Sequence, residues 1–329
     1  MDVWYNFIVV SKKGRYIMSR KNRKTRILGI AMALSLMLNI SALPVGAYNA
    51  EVSSLAEINT ALDVDGRVYL YLKGVANKAT WAHHRFDVSI GGKSLSVQGI
   101  EINGVAYLPF RTASGMISGS TYSYNSATRT SVMKANGLEI SVTDGNYVTY
   151  ANGRVLFNTS PCVIMSDGRM YIPVSVFAKA VGMTVSTVGG NIRLTGSFKP
   201  LVSADKFYRE DEVFWLARII HAESRGEPLI GQIAVGSVVM NRVKSNYYPN
   251  TIYGVIFDRK YGVQFSPVLD GSIYNTPGYT STLAAKIALE GYDITGGAFF
   301  FLAPELATSS WIPQTRKYLF TVGGHDFYF

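Results

Sequence analysis

The sequence predicts an α+β protein of two domains, in which a β-rich N-terminal domain with an internal repeat precedes a mainly helical domain. The chain has 329 residues, which is enough for two to three domains of ordinary size. Short runs that alternate apolar and polar residues fill residues 67–196, which is typical of strands. From residue 208 onward, apolar residues recur at helical spacing instead. A hydrophobic content of 48% is sufficient to form a core in each domain.

The positive charge of the chain is concentrated at its N-terminus. The net charge is +10, from 32 Lys and Arg against 22 Asp and Glu. Eight of these basic residues and one acidic residue lie in residues 1–47, so the remainder has a net charge of only +3. Nucleic-acid binding depends on neutralising many phosphates. A remainder this close to neutral therefore predicts no nucleic-acid partner.

Residues 1–47 have the order of a secretory signal peptide. A basic stretch is followed by a charge-free apolar run, residues 27–47, which ends in small residues. We expect cleavage after Ala47, and initiation at Met18, which begins a more ordinary signal sequence. The alternative is an uncleaved signal-anchor helix, because the run is about long enough to span a membrane. Both interpretations predict an exported protein whose membrane contact is limited to this segment.

An internal repeat marks the β-rich region, which follows a predicted linker at residues 48–66. Gly-Val-Ala-Tyr-Leu-Pro at residues 104–109 recurs as Gly-Arg-Met-Tyr-Ile-Pro at residues 168–173. Each copy predicts a tight turn and a short strand that ends in Pro. A helix can begin at that Pro, since the first helical turn leaves its N–H groups unpaired. Gly182 is expected to end the second of these helices.

These residues resemble the copper amine oxidase N-terminal-like domain. The shared pattern is an Asn-Gly or Asp-Gly turn, a Tyr-Leu/Ile-Pro strand, a short helix and a further strand. The resemblance covers residues 67–196 and implies a stalk that spaces a catalytic domain from the membrane or binds wall polymer. It does not imply copper, and we expect no metal or other cofactor. The single cysteine, Cys162, excludes a disulfide within the chain.

Three helices are predicted after a second linker at residues 197–207. The first covers residues 210–222 and has acidic residues in its first turn, where the helix dipole favours negative charge. The second begins at Pro228, and Glu227 is interpreted as the residue that precedes it. The third stops before Gly291. Gly236 in the second helix permits close contact with another helix. The domain extends over residues 208–329.

Glu223 is the candidate catalytic residue. It ends the apolar face of the first predicted helix and precedes a turn at residues 224–226, so we expect its carboxyl group to be partly buried. Burial disfavours the ionised form of a carboxyl group and raises its pKa. Cleavage of a glycosidic bond requires a protonated acid of this kind, because the leaving oxygen must receive a proton. The alternative is an ordinary helix carboxylate that pairs with Arg218 or Arg225.

A longer motif surrounds Glu223. The sequence reads Ala-Arg-Ile-Ile-His-Ala-Glu-Ser-Arg-Gly-Glu-Pro from Ala217, then Gly-Gln-Ile-Ala-Val-Gly and Asn-Arg-Val. Later blocks include Gln-Phe-Ser-Pro-Val-Leu-Asp-Gly and a C-terminal Gly-His pair. Together they resemble the spore cortex-lytic enzyme family of cell-wall hydrolases, over residues 208–329. The resemblance implies a lysozyme-like helical fold that acts on peptidoglycan, with Glu223 as the catalytic acid. The family often has Asn in place of His221, to which we assign no role.

The resemblance implies an exported lytic transglycosylase that cleaves between N-acetylmuramic acid and N-acetylglucosamine. It further suggests a secreted protein of the cell wall or spore, with a role in cortex hydrolysis during germination. The acidic residues of the domain are consistent with this reaction. A glycosidase that uses two carboxyl groups needs a second acid, and the second candidates here, Asp258 and Asp270, are weak.

One alternative is an N-acetylmuramoyl-L-alanine amidase, although a zinc site of about three ligands would have to include His221 and His325. The other alternative is a non-catalytic wall-binding protein.

Five polar or aromatic residues are candidates for contact with the glycan. For Gln232 and Asn241, a structural role as braces of the backbone between helices is an equally good interpretation. The candidates are Gln232, Asn241, Gln264, Ser266 and Tyr274.

Overall fold

The computed structural model describes residues 83–329, except 103, 159, 261 and 308, together with four short strands before them. The first two, β1 (Phe7–Val10) and β2 (Tyr16–Ser19), pair antiparallel, as do β3 (Ile58–Leu62) and β4 (Val68–Leu72). Strand β3 lies inside the stretch predicted as a linker. The apolar part of the predicted signal peptide lies outside the described residues.

The β-rich region forms three sheets within residues 83–195 of the described chain. The first has the strand order β15-β16-β9-β8-β5, the second β10-β11-β12-β13-β14 and the third β17-β18-β6-β7. Their strands are β5 (His83–Phe86), β6 (Val88–Ile90), β7 (Lys93–Ser94), β8 (Gly99–Ile102), β9 (Val105–Pro109), β10 (Thr121–Asn125), β11 (Thr130–Ala135), β12 (Leu138–Thr143), β13 (Val148–Ala151), β14 (Arg154–Phe157), β15 (Val163–Ile164), β16 (Met170–Pro173), β17 (Thr184–Val188) and β18 (Asn191–Thr195).

The two copies of the repeat lie side by side. Strands β9 and β16 pair antiparallel and lead into the helices α1 (Phe110–Gly115) and α2 (Val174–Val181), which share one core. Each Pro precedes its helix by one residue instead of opening it. Gly182 ends α2 in the left-handed conformation, with φ of 70°, as predicted. In the same region Cys162 is fully buried, and burial raises the pKa of its thiol to about 12.

The C-terminal region is mainly helical, as predicted, and it ends in a sheet that the sequence did not predict. A three-stranded sheet has the order β19-β21-β20. No helix in the described part of the chain combines the length and the apolar character needed to cross a bilayer. The elements are α3 (Ala204–Phe207), α4 (Glu210–Ser224), α5 (Leu229–Lys244), α6 (Ile252–Ile256), α7 (Pro267–Asp270), the 3-10 turn Ser272–Tyr274, α8 (Tyr279–Leu289), β19 (Phe300–Leu302), α9 (Trp311–Thr315), β20 (Tyr318–Val322) and β21 (His325–Tyr328).

Helices α4, α5 and α8 pack against one another around a single core. The closest approach is at Gly236 of α5, as the sequence suggested. A Cβ atom there would lie 2.9 Å from Cδ1 of Ile220 on α4 and 3.2 Å from Cβ of Ala288 on α8. Residue 236 therefore allows the three helix backbones to approach, because glycine adds no side chain at the crossing point.

A buried ion pair joins the β-rich region to the helical region. Arg154 of β14 donates from Nε and Nη2 to the two carboxylate oxygens of Glu290, both at 2.8 Å, and the side chains are only 7% and 3% exposed. Lys179 and the hydroxyl of Tyr208 also contact this carboxylate. Burial alone raises the pKa of Glu290, but the hydrogen bonds from these partners outweigh burial and lower it.

The apolar contacts around this ion pair extend the core of the helical region into the β-rich region. Four residues of the β-rich region, Tyr147, Val148, Val155 and Phe157, belong to the same buried cluster as α4, α5 and α8. The segment at residues 197–207 takes part in this packing, because Leu201 accepts a hydrogen bond from Asn152 and Tyr208 accepts one from the N–H of Val155. The β-rich region is thus docked against the helical region.

We predict that Arg154→Ala destabilises the folded chain by about 3–5 kcal/mol, because it leaves the Glu290 carboxylate buried without its main partner. Urea unfolding followed by circular dichroism measures this loss. Arg209→Ala is the matched control, since Arg209 pairs with Asp211 where both side chains are well exposed. Its midpoint should stay close to that of the parent. Equal midpoints for the two variants would contradict the role given to the buried pair.

Candidate active site

Glu223 lies in the last turn of α4, where the helix leaves the core. Ile219 and Ile220, on the preceding turn, are fully buried, whereas Arg225 after the helix is exposed. The Glu223 side chain is held at the boundary between them and is half-buried. The sequence predicted this placement from the apolar face of the helix.

The environment of Glu223 brings the pKa of its carboxyl group close to neutral pH, so that the protonated form is well populated there. Burial, with a smaller contribution from the charge of Asp270, raises the pKa of Glu223 to about 7. Asp270 ends α7, which packs beside α4, and it accepts a hydrogen bond from the N–H of Ser272 at 2.8 Å. Hydrogen bonds with Ser272 lower the pKa of Asp270. One carboxyl group can therefore donate a proton while its neighbour stays ionised.

Glu223 opens into a cavity of about 510 Å³ between the end of α4 and the C-terminal sheet. A neighbouring cavity of about 440 Å³ shares Pro304 and Asp326 with it, so the two form an extended concave surface. Three glycines, a histidine and further carboxylates line the first cavity. Its lining residues are Glu223, Ser224, Gly226, Glu227, Ala303, Pro304, Glu305, Leu306, Thr321, Gly323, Gly324, His325 and Asp326.

Gln232 does not line this cavity, because it is buried and both ends of its amide are occupied. Its Nε2 donates to the carbonyl oxygen of Glu227 at 3.0 Å, and its Oε1 accepts from Ser281 at 2.7 Å. Ser281 also contacts Nδ1 of His221, which in turn accepts from the N–H of Gly278. The structure therefore places Gln232 and His221 as braces between helices, the alternative that the sequence left open for Gln232.

Asn241 and Gln264 also contact the protein itself. Nδ2 of Asn241 lies 3.1–3.2 Å from acceptors on Asp293, Thr295 and Ala298, so that Asn241 fixes the loop after α8. Oε1 of Gln264 accepts from Arg242 at 3.3 Å, and its Nε2 donates to Gly262. Neither residue lines the cavity that contains Glu223.

Ser266 and Tyr274 are exposed on the side of α4 where Asp270 lies. Ser266 precedes α7, and Tyr274 ends the 3-10 turn that packs against α4. The Tyr274 ring is 63% exposed and meets Trp215 of α4 edge-on, at 6.4 Å between ring centroids. Of the five residues predicted to contact the glycan, these two are the ones with an exposed side chain. Their contact with substrate remains a prediction.

The sequence reasoning missed the opposite wall of the cavity. Glu227, interpreted as a helix-start residue, accepts a hydrogen bond from the N–H of Gly324 at 2.9 Å, and its Oε1 lies 3.6 Å from Nδ1 of His325. Burial lowers the pKa of His325, although the nearby carboxylates of Glu227 and Asp326 oppose this. The Gly323-Gly324 pair signals a tight hairpin. Its partner lies 97 residues earlier, which spacing does not reveal.

Within the part of the chain that the structure describes, no three His, Cys, Asp or Glu side chains are grouped closely enough to hold a metal ion. The two histidines of the helical region, His221 and His325, contact different residues. Nδ1 of His221 accepts from the N–H of Gly278 at the start of α8, whereas Nδ1 of His325 lies 3.6 Å from Oε1 of Glu227.

Comparison with known proteins identifies both regions. Residues 226–328 match the family model described as Cell Wall Hydrolase. The C-terminal region is a cell wall hydrolase domain. Glu223 lies three residues before the matched segment, on the helix that leads into it. Residues 89–195 match the model of the copper amine oxidase N-terminal domain. Both resemblances stated from the sequence are confirmed.

The cell wall hydrolase domain has relatives among spore proteins. The spore cortex-lytic enzyme of Bacillus cereus is 42% identical over 120 residues, which make up 36% of this chain and 45% of that protein. The spore cortex-lytic enzyme of Halalkalibacterium halodurans is 39% identical over 123 residues, or 36% of this chain and 35% of that protein. The chain thus spans less than half the length of these two curated relatives.

A solved structure matches the same part of the chain. It is the catalytic domain of the germination-specific lytic transglycosylase SleB from Bacillus anthracis. The sequence identity is 42%, and the match covers 37% of this chain and 97% of that one, with a TM-score of 0.34.

We predict that the pKa of the Glu223 carboxyl group, measured by ¹³C NMR titration, is about 7 and falls in Asp270→Asn. Removing the Asp270 charge relieves repulsion on the ionised form of Glu223, which lowers its pKa. The amide of the variant can still accept the hydrogen bond from Ser272. Asp258→Asn is the control and should leave the titration unchanged. A Glu223 that titrates near the ordinary value in the parent protein would contradict the assignment.

Proposed function

We propose that this protein is an exported peptidoglycan-degrading enzyme, and specifically a lytic transglycosylase that cleaves between N-acetylmuramic acid and N-acetylglucosamine. The observation that carries the proposal is one carboxyl group, that of Glu223, whose pKa burial raises to about 7 beside an open cavity. The cell wall hydrolase match over residues 226–328 supports peptidoglycan as the substrate.

One carboxyl group is sufficient for this reaction. Protonated Glu223 gives its proton to the bridging oxygen as the bond from that oxygen to C1 of the muramic residue breaks. The Glu223 carboxylate then takes the proton of the C6 hydroxyl as O6 of the same sugar bonds to C1. The products are a free 4-hydroxyl on N-acetylglucosamine and a 1,6-anhydromuramic end. The proton returns to Glu223, and no water is consumed.

Two carboxylates near Glu223, those of Asp270 and Glu227, are held by hydrogen bonds within the protein, which supports a one-carboxyl mechanism over classical hydrolysis. A retaining glycosidase uses a second carboxylate as nucleophile, and an inverting one uses it to activate water. Asp270 accepts from the N–H of Ser272, and Glu227 accepts from the N–H of Gly324. Each of these carboxylates has a hydrogen-bonding role within the protein.

The proposed setting is the spore cortex during germination. The relatives with 39–42% identity are named spore cortex-lytic enzymes. The signal-like N-terminal sequence is consistent with export to the cell wall or spore. The β-rich region would then hold the catalytic domain at the wall.

Digestion of purified cortex and vegetative sacculi, followed by mass spectrometry, tests the reaction. We predict 1,6-anhydromuropeptides as products. Glu223→Gln should reduce their release by at least about 10²-fold, because it removes the proton donor. Glu212→Gln, on the first turn of the same helix, is the control and should keep activity. Muropeptides with reducing ends in place of anhydro ends would reject the transglycosylase and indicate a hydrolase.

Chelation distinguishes glycan cleavage from amide cleavage. We predict that release of anhydromuropeptides continues at the same rate in excess EDTA, since proton transfer by Glu223 involves no metal. The measurement is the product yield with and without EDTA at constant pH. Chelator-sensitive activity that is restored by zinc and releases stem peptides would instead indicate an amidase.

A further inference from the structure

The Glu227 side chain links the turn after α4 to the turn between β20 and β21. This second turn, residues 323–324, is called the hairpin turn below. One oxygen of the Glu227 carboxylate accepts the N–H of Gly324 at 2.9 Å, and the other lies 3.6 Å from Nδ1 of His325. The Glu227 side chain is 18% exposed and that of His325 is 10% exposed. Hydrogen bonds to a carboxylate in such a setting are among the stronger ones in proteins.

The hairpin turn is shaped to receive this carboxylate. Gly323 has φ of +59°, in the left-handed region, and a Cβ atom there would lie 1.6 Å from Oε2 of Glu227. At Gly324 a Cβ atom would lie 3.1 Å from Oε1. The contact therefore requires glycine at residue 323, and the space at residue 324 is tight, so that the carboxylate can reach the backbone.

The backbone of Glu227 is fixed from the other side. Its carbonyl oxygen accepts from Nε2 of Gln232 on α5, and Gln232 accepts from Ser281 on α8. Its N–H donates to the carbonyl oxygen of Ser224, at the end of α4. Glu227 is thus tied to all three core helices, and its carboxylate extends that support to the hairpin turn.

Resting on the proposed function, we propose that Glu227 is a positioning residue: its carboxylate holds the hairpin turn and so fixes the wall of the cavity that Glu223 shares. The hairpin turn, His325 and the segment at residues 303–306 form that wall. Glycan bound in the cavity would lie between this wall and Glu223. Releasing the turn would weaken glycan binding and leave the proton donor in place.

The decisive experiment compares Glu227→Gln, Glu227→Asp and Glu227→Ala. Gln keeps an acceptor at the same reach, Asp keeps the charge but is shorter by one methylene, and Ala keeps neither. We expect KM for soluble, uncross-linked glycan strands to rise about tenfold in the Asp and Ala variants, the cost of one such hydrogen bond. We expect kcat to stay within about threefold, and Gln to recover most of the loss. Glu210→Ala, on the exposed start of α4, is the matched control.

Binding in an inactive background separates this proposal from the proposed function. The same three substitutions in Glu223→Gln protein are tested for binding of the strands by calorimetry. Tighter binding by the Gln variant than by the Asp and Ala variants supports positioning, whether or not the parent protein yields anhydro products. Equal binding by all three variants overturns it. A kcat that falls equally in the Gln and Ala variants also overturns it, since that pattern indicates a catalytic carboxyl group. If the Ala variant does not fold, the comparison of the Asp variant with the Gln variant tests the proposal.

Discussion

The close approach of α4, α5 and α8 at Gly236 is the constraint on which the rest of the helical region depends. Ile220 of α4 occupies the space that a side chain at residue 236 would need, and Ala288 of α8 approaches from the other helix. Glu223 follows Ile220 by less than one turn, so the depth of this packing sets how far its carboxyl group is withdrawn from water. Burial is the main cause of its raised pKa. The acidity of Glu223 therefore depends on a glycine on another helix.

The same helix α8 transmits this packing to the β-rich region. Ala288 contacts the Gly236 crossing, and Glu290, two residues later, receives the bidentate hydrogen bonds of Arg154 from β14. A buried pair of this kind contributes little net stability compared with apolar packing, but it is costly to break and demands one geometry. The ion pair thus fixes the β-rich region against the helices that carry Glu223.

The periodic features were predictable from the sequence, and the long-range contacts were not. Apolar spacing located α4 and α5 to within two residues at each end, and the repeat located β9, β16 and their helices. Glu223 was predictable because its partial burial follows from its own helix. For Gln232 the sequence left two interpretations open, a glycan contact and a brace between helices. The real partners of Gln232, Glu227 and Ser281, become apparent only when α5 and α8 are packed. The C-terminal sheet was not predicted because its strands are short and do not alternate apolar and polar residues.

Three acidic residues near the cavity show how environment assigns chemistry to one functional group. Glu223 lies where few donors reach it, so burial favours the neutral acid. Asp270 lies at an exposed helix end, where hydrogen bonding with Ser272 favours the charged form, and its charge reinforces protonation of Glu223. Glu227 is engaged by the N–H of Gly324. The proposed reaction uses one carboxyl group first as acid and then as base. Glu223 therefore carries the proton transfer in that proposal, while Asp270 contributes its charge and Glu227 its hydrogen bond to the hairpin turn.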